Sequence, residues 1–338
     1  MKRVSKSTVA AFCLAAMSAA ASRGSAQTPY KVVDHWKIGG TGGWDYLLAD
    51  SPAHRLYITH TGRVEVVDTT TGKLVGAVTG FKSTHGIALD PDGKRGYISD
   101  GAGNAVAIFD RTSLAVLTTI PAGKNPDAIA YEPTTKTVWA FNGTSNNISV
   151  IDPDKKIVIA TIALPGKPEF PQVDGKGTVF VNIEDKNSIV KLKAATRKVE
   201  ATWTLSGCDA PSGMAIDPEH ARLFSVCDGN KMAVTDAKTG KQIALAAIGA
   251  GPDAAGYDAR NQLAFSSNGE AGTVSVIDAA HGYKAIQTLS TKVGARTMTY
   301  DPTTNRIYLT AADYATPVAG AKRPTVLPDT FTVLVLGR

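Results

Sequence analysis

Asp45, His85, Asp127, Glu169, Asp253 and Arg296 fall at intervals of 40 to 43 residues along the chain, with Ser212 in the one remaining place. Fifteen residues further on in each interval stands a second column: His60, Asp100, Asn142, Glu184, Cys227, Asn268 and Ala311. Brought together, such residues offer two kinds of chemistry. The carboxylates of Asp127, Glu169 and Asp253 are oxygen ligands of the kind that suits calcium or manganese, and the His85 imidazole beside them would suit zinc. An imidazole among carboxylates also holds its proton more tightly, so His85 can serve as general acid or base while Arg296 holds an anionic intermediate. On this reading His85 and Arg296 are the catalytic candidates and Asp127, Glu169 and Asp253 the metal candidates. Trp44, Asp45, His60, Asn142, Glu184 and Asn268 would contact the ligand. The competing reading is architectural, because Asp and Asn recur at strand starts and in loops, where their side chains cap turns. Gly-x-Ser-x-Gly, His-Glu-x-x-His and a complete EF-hand loop are all absent from the sequence.

Which of these residues meet depends on the repeat that carries them. An acidic residue ends a short apolar run at Asp50, Asp90, Glu132, Asp174, Asp217, Asp258 and Asp301, with spacings of 40, 42, 42, 43, 41 and 43. Seven residues beyond each lies Tyr57, Tyr97, Trp139, Val181, Phe224, Phe265 or Tyr308, and 18 to 20 residues beyond, another run often ends in Asp, as at Asp68, Asp110, Asp152, Asp236 and Asp278. The runs are short, rich in Val, Ile, Thr and aromatics, and bounded by Gly, Pro, Asn and Asp, which is strand-and-turn chemistry. Four such runs per unit of about 42 residues predict the blades of an all-β, seven-bladed β-propeller of four-stranded antiparallel sheets. The seventh unit ends after three strands, at FTVLVLGR, so the N-terminal YKVVDHWKI is expected to supply the fourth and remove two open sheet edges. Residues 27–338 then make one domain.

The segments YITH (57–60), YISD (97–100), WAFN (139–142) and YLTA (308–311), each followed by a strand ending in Val-Asp or Ile-Asp or its equivalent, resemble the YVTN-type propeller repeat. Over residues 30–338 the chain is similar to the exported, YncE-like members of that group. The resemblance implies the propeller fold and, as roles, scaffolding or DNA binding, with no shared catalytic motif to transfer.

In a four-stranded meander the segment entering the first strand and the loop between the second and third lie at the same end of the blade, so both columns above should converge on one mouth of the channel. Six carboxylates, two histidines and one arginine would meet there. The other end carries PDGK, PTTK and PEHA, ordinary tight turns. The loop at 312–330 is the longest on the acidic face and could partly roof it.

Lys2, Arg3 and Lys6, the Ala-rich stretch at 8–22 and the small residues Gly24-Ser25-Ala26 read as a secretory signal spanning 1–26, with no later stretch long and apolar enough to span a membrane. Its removal would leave 32 basic against 30 acidic residues, so most of the +6 formal charge belongs to the leader and a nucleic-acid partner loses its main support. Cys13 would leave too, and Cys208 and Cys227 become a candidate disulfide in an oxidising, periplasmic or extracellular compartment. Three functions are therefore expected in order: binding of a small polar ligand or exported protein at the acidic mouth; metal-assisted hydrolysis or lysis of a sugar, lactone or similar molecule there; and nucleic-acid binding. The last would need another surface, such as the basic run from Lys191 through Lys198, because carboxylates repel phosphate.

Overall fold

The computed structural model describes Met1, residues 28–316 and residues 325–338. Apart from Met1, the segment 1–26 expected to be a leader, with its expected cleavage point and Cys13, lies outside the described residues, as do residues 317–324 of the 312–330 loop. Seven four-stranded antiparallel sheets are present, the arrangement that the 42-residue period predicts. Blade 1 runs through Trp44–Asp50, Arg55–His60, Arg63–Asp68 and Leu74–Thr79, from channel to periphery. Blades 2 to 6 repeat this order from the innermost strands Thr84–Leu89, Pro126–Glu132, Pro168–Val173, Met214–Asp217 and Pro252–Asp258. Blade 7 contains Met298–Asp301, Arg306–Ala311 and Thr332–Gly337, and the N-terminal strand Lys31–Lys37 pairs antiparallel with the last of these, from Lys31 opposite Gly337 to Lys37 opposite Thr332. Among the described residues no helix is long and apolar enough to cross a membrane.

The aromatic column lies in the blade-to-blade cores, except that Phe180, the third residue of its strand as Tyr57 is of its own, and not Val181, packs blade 4 against blade 5. Tyr57, Tyr97, Trp139, Phe224, Phe265 and Tyr308 are all fully buried, as is Val181 in the seventh place. Burying each such side chain contributes roughly 1.5–3 kcal/mol. The repeating carboxylates of the turn-rich face act as local caps: Asp217 accepts the backbone N–H groups of Glu219 and His220, Glu132 those of Thr134 and Thr135, and Asp301 that of Thr303. The Asp residues that end the third strands do the same two and three residues on, as Asp68 does for Thr70 and Thr71 and Asp110 for Thr112 and Ser113. These acids are fixed by turn chemistry. Cys208 and Cys227 are disulfide-bonded with Cα atoms 5.2 Å apart, both in blade 5 and both buried.

Candidate functional site

A defect in the sheet, repeated around the ring, aims the first column of residues at the channel. In blade 1, Trp44 pairs with His60 and Leu47 with Ile58, so Asp45 and Tyr46 together face the single residue Thr59. The same β-bulge falls at His85-Gly86, Asp127-Ala128, Glu169-Phe170 and Asp253. A bulge turns a side chain out of the pleat's alternation, and here it directs five of them toward one opening. Polar side chains on the neighbouring strands hold the bulged backbone. Asp45 N–H and Gly86 N–H donate to Thr59 Oγ1 at 3.1 Å and Ser99 Oγ at 2.7 Å, Ser99 donates onward to the Asp127 carbonyl and Ser267 to that of Arg296. Asn182 Nδ2 reaches the Ser212 carbonyl at 2.8 Å. A buried proline, Pro126, Pro168, Pro211 or Pro252, stands immediately before Asp127, Glu169, Ser212 and Asp253, at or just before the start of the innermost, edge strand of its sheet, where proline is tolerated.

Three charge groupings line the mouth. His85 Nδ1 lies 2.6 Å from Asp45 Oδ2 and 3.5 Å from Asp127 Oδ1. Lys167 Nζ lies 2.6 Å from Glu169 Oε1 and also bonds Glu184. Arg296 Nε lies 2.9 Å from Asp253 Oδ2, and its Nη2 donates to the Trp44 carbonyl at 3.2 Å. Among the described residues five carboxylates thus face one imidazole and two permanent cations, and three of the five, Asp127, Glu169 and Asp253, hold their protons more tightly than usual. Burial first, and then the Asp45 charge, raises Asp127 well above the usual carboxylate range against the opposing pull of His85 and Lys167. Glu169 is raised by burial and by Asp127, with Lys167 opposing. Asp253 is pushed up to about 6 by burial, opposed by Arg296 and assisted by Asp45. For His85 burial works to lower the pKa, but the Asp45 hydrogen bond and the charges of Asp127, Asp45 and Asp100 outweigh it and the net shift is upward.

The floor of the mouth is aromatic. Tyr46 and Phe170 occupy equivalent bulge positions in blades 1 and 4, and their rings meet across the channel with centroids 5.2 Å apart at 62°. Gly86, Ala128, Gly213, Ala254 and Thr297 hold that position in the other blades and leave the space the two rings fill. Burial and the four carboxylates Asp127, Glu169, Asp45 and Asp253 keep the Tyr46 phenol protonated far above its ordinary range. Beyond this plug the channel continues as a cavity of about 540 Å³ that opens on the opposite face, between the innermost strands of blades 1 to 4. That face therefore carries more than the tight turns expected of it.

The second column corrects the sequence expectation. His60, Asn142 and Asn268 are fully buried, and Asp100 nearly so. Asn142 Nδ2 donates to Asn147 Oδ1 and Ser149 Oγ, and Asn268 Nδ2 to Thr273 Oγ1 and Ser275 Oγ. Ser149 and Ser275 in turn accept the N–H groups of Gly123 and Gly249, in the strands' connections from the preceding blade. A Cβ at Gly123 would stand 2.6 Å from the Asn142 side chain, and one at Gly249 would stand 2.7 Å from that of Asn268. Asp100 accepts the N–H groups of Lys82 and Ser83 in the same manner. These residues clamp the chain as it enters each innermost strand. His60 stacks on Phe331 at 4.3 Å with Nδ1 3.4 Å from Glu65, so it too belongs to the packing. Trp44 is 6 % exposed and packs on Phe331 and Tyr314; its carbonyl, not its ring, serves the mouth. Of the second column only Glu184 joins the mouth, through Lys167, a residue the sequence reading passed over. The metal candidates also divide, since Glu169 and Asp253 each hold a permanent cation while Asp127 faces Asp45 and His85. The basic run lies on the outer half of blade 4, where Lys191 pairs with Glu200 at 3.4 Å.

No protein-family model and no curated protein matches the sequence. Among solved structures the chain is similar to hydrazine synthase of Kuenenia stuttgartiensis, with 16 % identity and a TM-score of 0.72 over 80 % of this chain and 92 % of that one. It is also similar to U3-55K, with 9 % identity and a TM-score of 0.75 over 90 % of this chain and 98 % of that one. Likeness at these identities is likeness of fold, and with the seven sheets it establishes the chain as a seven-bladed β-propeller.

Proposed function

We propose that this protein is an exported binding propeller, of the YVTN-type and YncE-like kind its repeats resemble, which captures a small hydroxylated or amine-bearing ligand at the acidic mouth. The observation that carries this reading is the asymmetry of the mouth: five carboxylates, Lys167, Arg296 and His85 surround an aromatic floor, whereas the equivalent positions in a purely architectural repeat would be uniform. Carboxylates and cations supply acceptors and donors for hydroxyl or amine groups, and the Tyr46 and Phe170 rings offer a flat apolar surface beneath them. The disulfide supports a location outside the reducing cytosol, in the periplasm or beyond. The acidic mouth makes it a poor seat for nucleic acid.

Melting curves of chelator-treated protein against a panel of sugars, sugar acids, amino acids and polyamines test this directly. A ligand at a hundred times its Kd contributes about 2.7 kcal/mol, and a shift of roughly 5 °C is the expected scale. The shift should vanish in the Glu169→Gln, Asp253→Asn double variant. A full panel without any shift, or a shift that survives in that variant, would contradict the proposal.

A further inference from the structure

One carboxylate of the mouth is left over. Asp45 takes the Nδ1–H of His85, Glu169 takes Lys167 and Asp253 takes Arg296. The Asp127 carboxylate accepts no hydrogen bond among the described residues, although its side chain is only 14 % exposed. Its nearest cationic atom is the same His85 Nδ1, 3.5 Å away, whose single hydrogen is directed to Asp45. Enclosure of this degree disfavours the charged carboxylate, so a cation placed against Asp127 would be favoured.

One ligand atom from each of Asp45, His85 and Asp127 lies within 4.8 Å of the other two, and His85 Nδ1 stands 2.6 Å from Asp45 Oδ2 and 3.5 Å from Asp127 Oδ1. Ligand atoms about 2.1 Å from a tetrahedral zinc ion stand roughly 3.4 Å apart, so small rotations of side chains on three consecutive bulges bring this set to coordinating distance. We propose that Asp45, His85 and Asp127 bind one divalent metal ion of the zinc type, with its remaining position open to the mouth. Two carboxylates and a neutral imidazole balance a 2+ charge. The mixed nitrogen and oxygen donors, few in number, favour zinc or its first-row neighbours over calcium and magnesium, which take more oxygen ligands. The ion would take the place of the imidazole proton and supply Asp127 with the partner it lacks. It sits within the mouth, and this inference rests on the proposed binding role of that mouth.

The experiment is titration of chelator-treated, full-length protein with zinc chloride by calorimetry, and with cobalt chloride by visible absorption, which reports low-symmetry coordination. Wild type and the Glu200→Gln surface variant should each bind one ion per chain with matching affinity. His85→Gln and Asp127→Asn should each lose about 100-fold or more, beyond the ~10–100-fold typical of removing an outer-sphere partner. Both variants keep side-chain shape, and their melting curves report whether they remain folded. No binding by wild type, or full affinity in folded His85→Gln protein, would overturn the inference. Organic ligands that still shift the melting of chelated protein would show the binding role standing while the metal site alone fails.

Discussion

At the scale of single residues the chain uses its carboxylates in two opposite ways. Those at turns accept two or more backbone N–H groups, as Asp68 and Asp110 do, and lie below their ordinary range because those hydrogen bonds favour the charged form. Asp127, Glu169 and Asp253, enclosed together at the mouth, lie above it. The difference has a signed consequence for stability. Asp127, Glu169 and Asp253 keep protons in the folded state that the unfolded chain has already released above pH ~4, so folding weakens as pH rises toward their folded values, about 6 for Asp253. The raised pKa of His85 acts in the same direction, since its contribution is complete below the unfolded value of ~6.5 and is lost as pH rises through the folded one. Chelated protein should therefore melt lower at pH 8 than at pH 5, by at least the ~2 °C that ~1 kcal/mol represents in a chain of this size. Asp127→Asn should flatten the slope. The residue types of the first column were readable from spacing alone. Those of the second were misassigned, because a buried Asn that clamps a connection and an Asn that meets a ligand look alike in a sequence; the signal that separates them is the Ser or Thr on the neighbouring third strand, as at Ser149 and Ser275.

At the scale of the element, the bulge is what makes a site out of a strand. Strand alternation places Asp45 correctly at the rim, but only the extra residue opposite Thr59 turns both Asp45 and Tyr46 inward, and periodicity carries no mark of that insertion. Its trace is indirect: in four of the five bulged blades the residue beside the bulge on the second strand, Thr59, Ser99, Asn182 or Ser267, is polar and buried where alternation would accept Val. Ser99 is the best test, since it accepts Gly86 N–H and donates to the Asp127 carbonyl. Ser99→Ala leaves both groups without a partner and should cost about 1–3 kcal/mol in denaturant unfolding. Asn142→Ala should cost a similar ~1–3 kcal/mol by releasing Ser149 and the blade 2 to blade 3 connection, whereas Glu184→Gln, on the half-exposed rim, should stay within about 0.5 kcal/mol.

At the scale of the molecule, closure of the ring was legible because the last unit is one strand short and the first 38 residues contain one strand too many. Removing residues 1–38 should expose the edge of Thr332–Gly337 and produce concentration-dependent association in size-exclusion chromatography. The disulfide closes a loop of 19 residues in blade 5, and its reduction should cost about 3 kcal/mol in the chain-entropy model. The plug was not legible: two whole blades lie between Tyr46 and Phe170 in the chain, and nothing local says that two aromatics among five small residues will meet across an axis. The site exists only if residues some forty apart in the chain become neighbours around one opening. The most direct measurement is the titration of the His85 ring by NMR in metal-free wild type, Asp45→Asn and Asp127→Asn protein. Convergence predicts a His85 pKa above 6.5 in the wild type and a lower one in each variant, one partner lying a blade before it and the other a blade after. A titration unmoved by both substitutions would mean that the three side chains do not share a site.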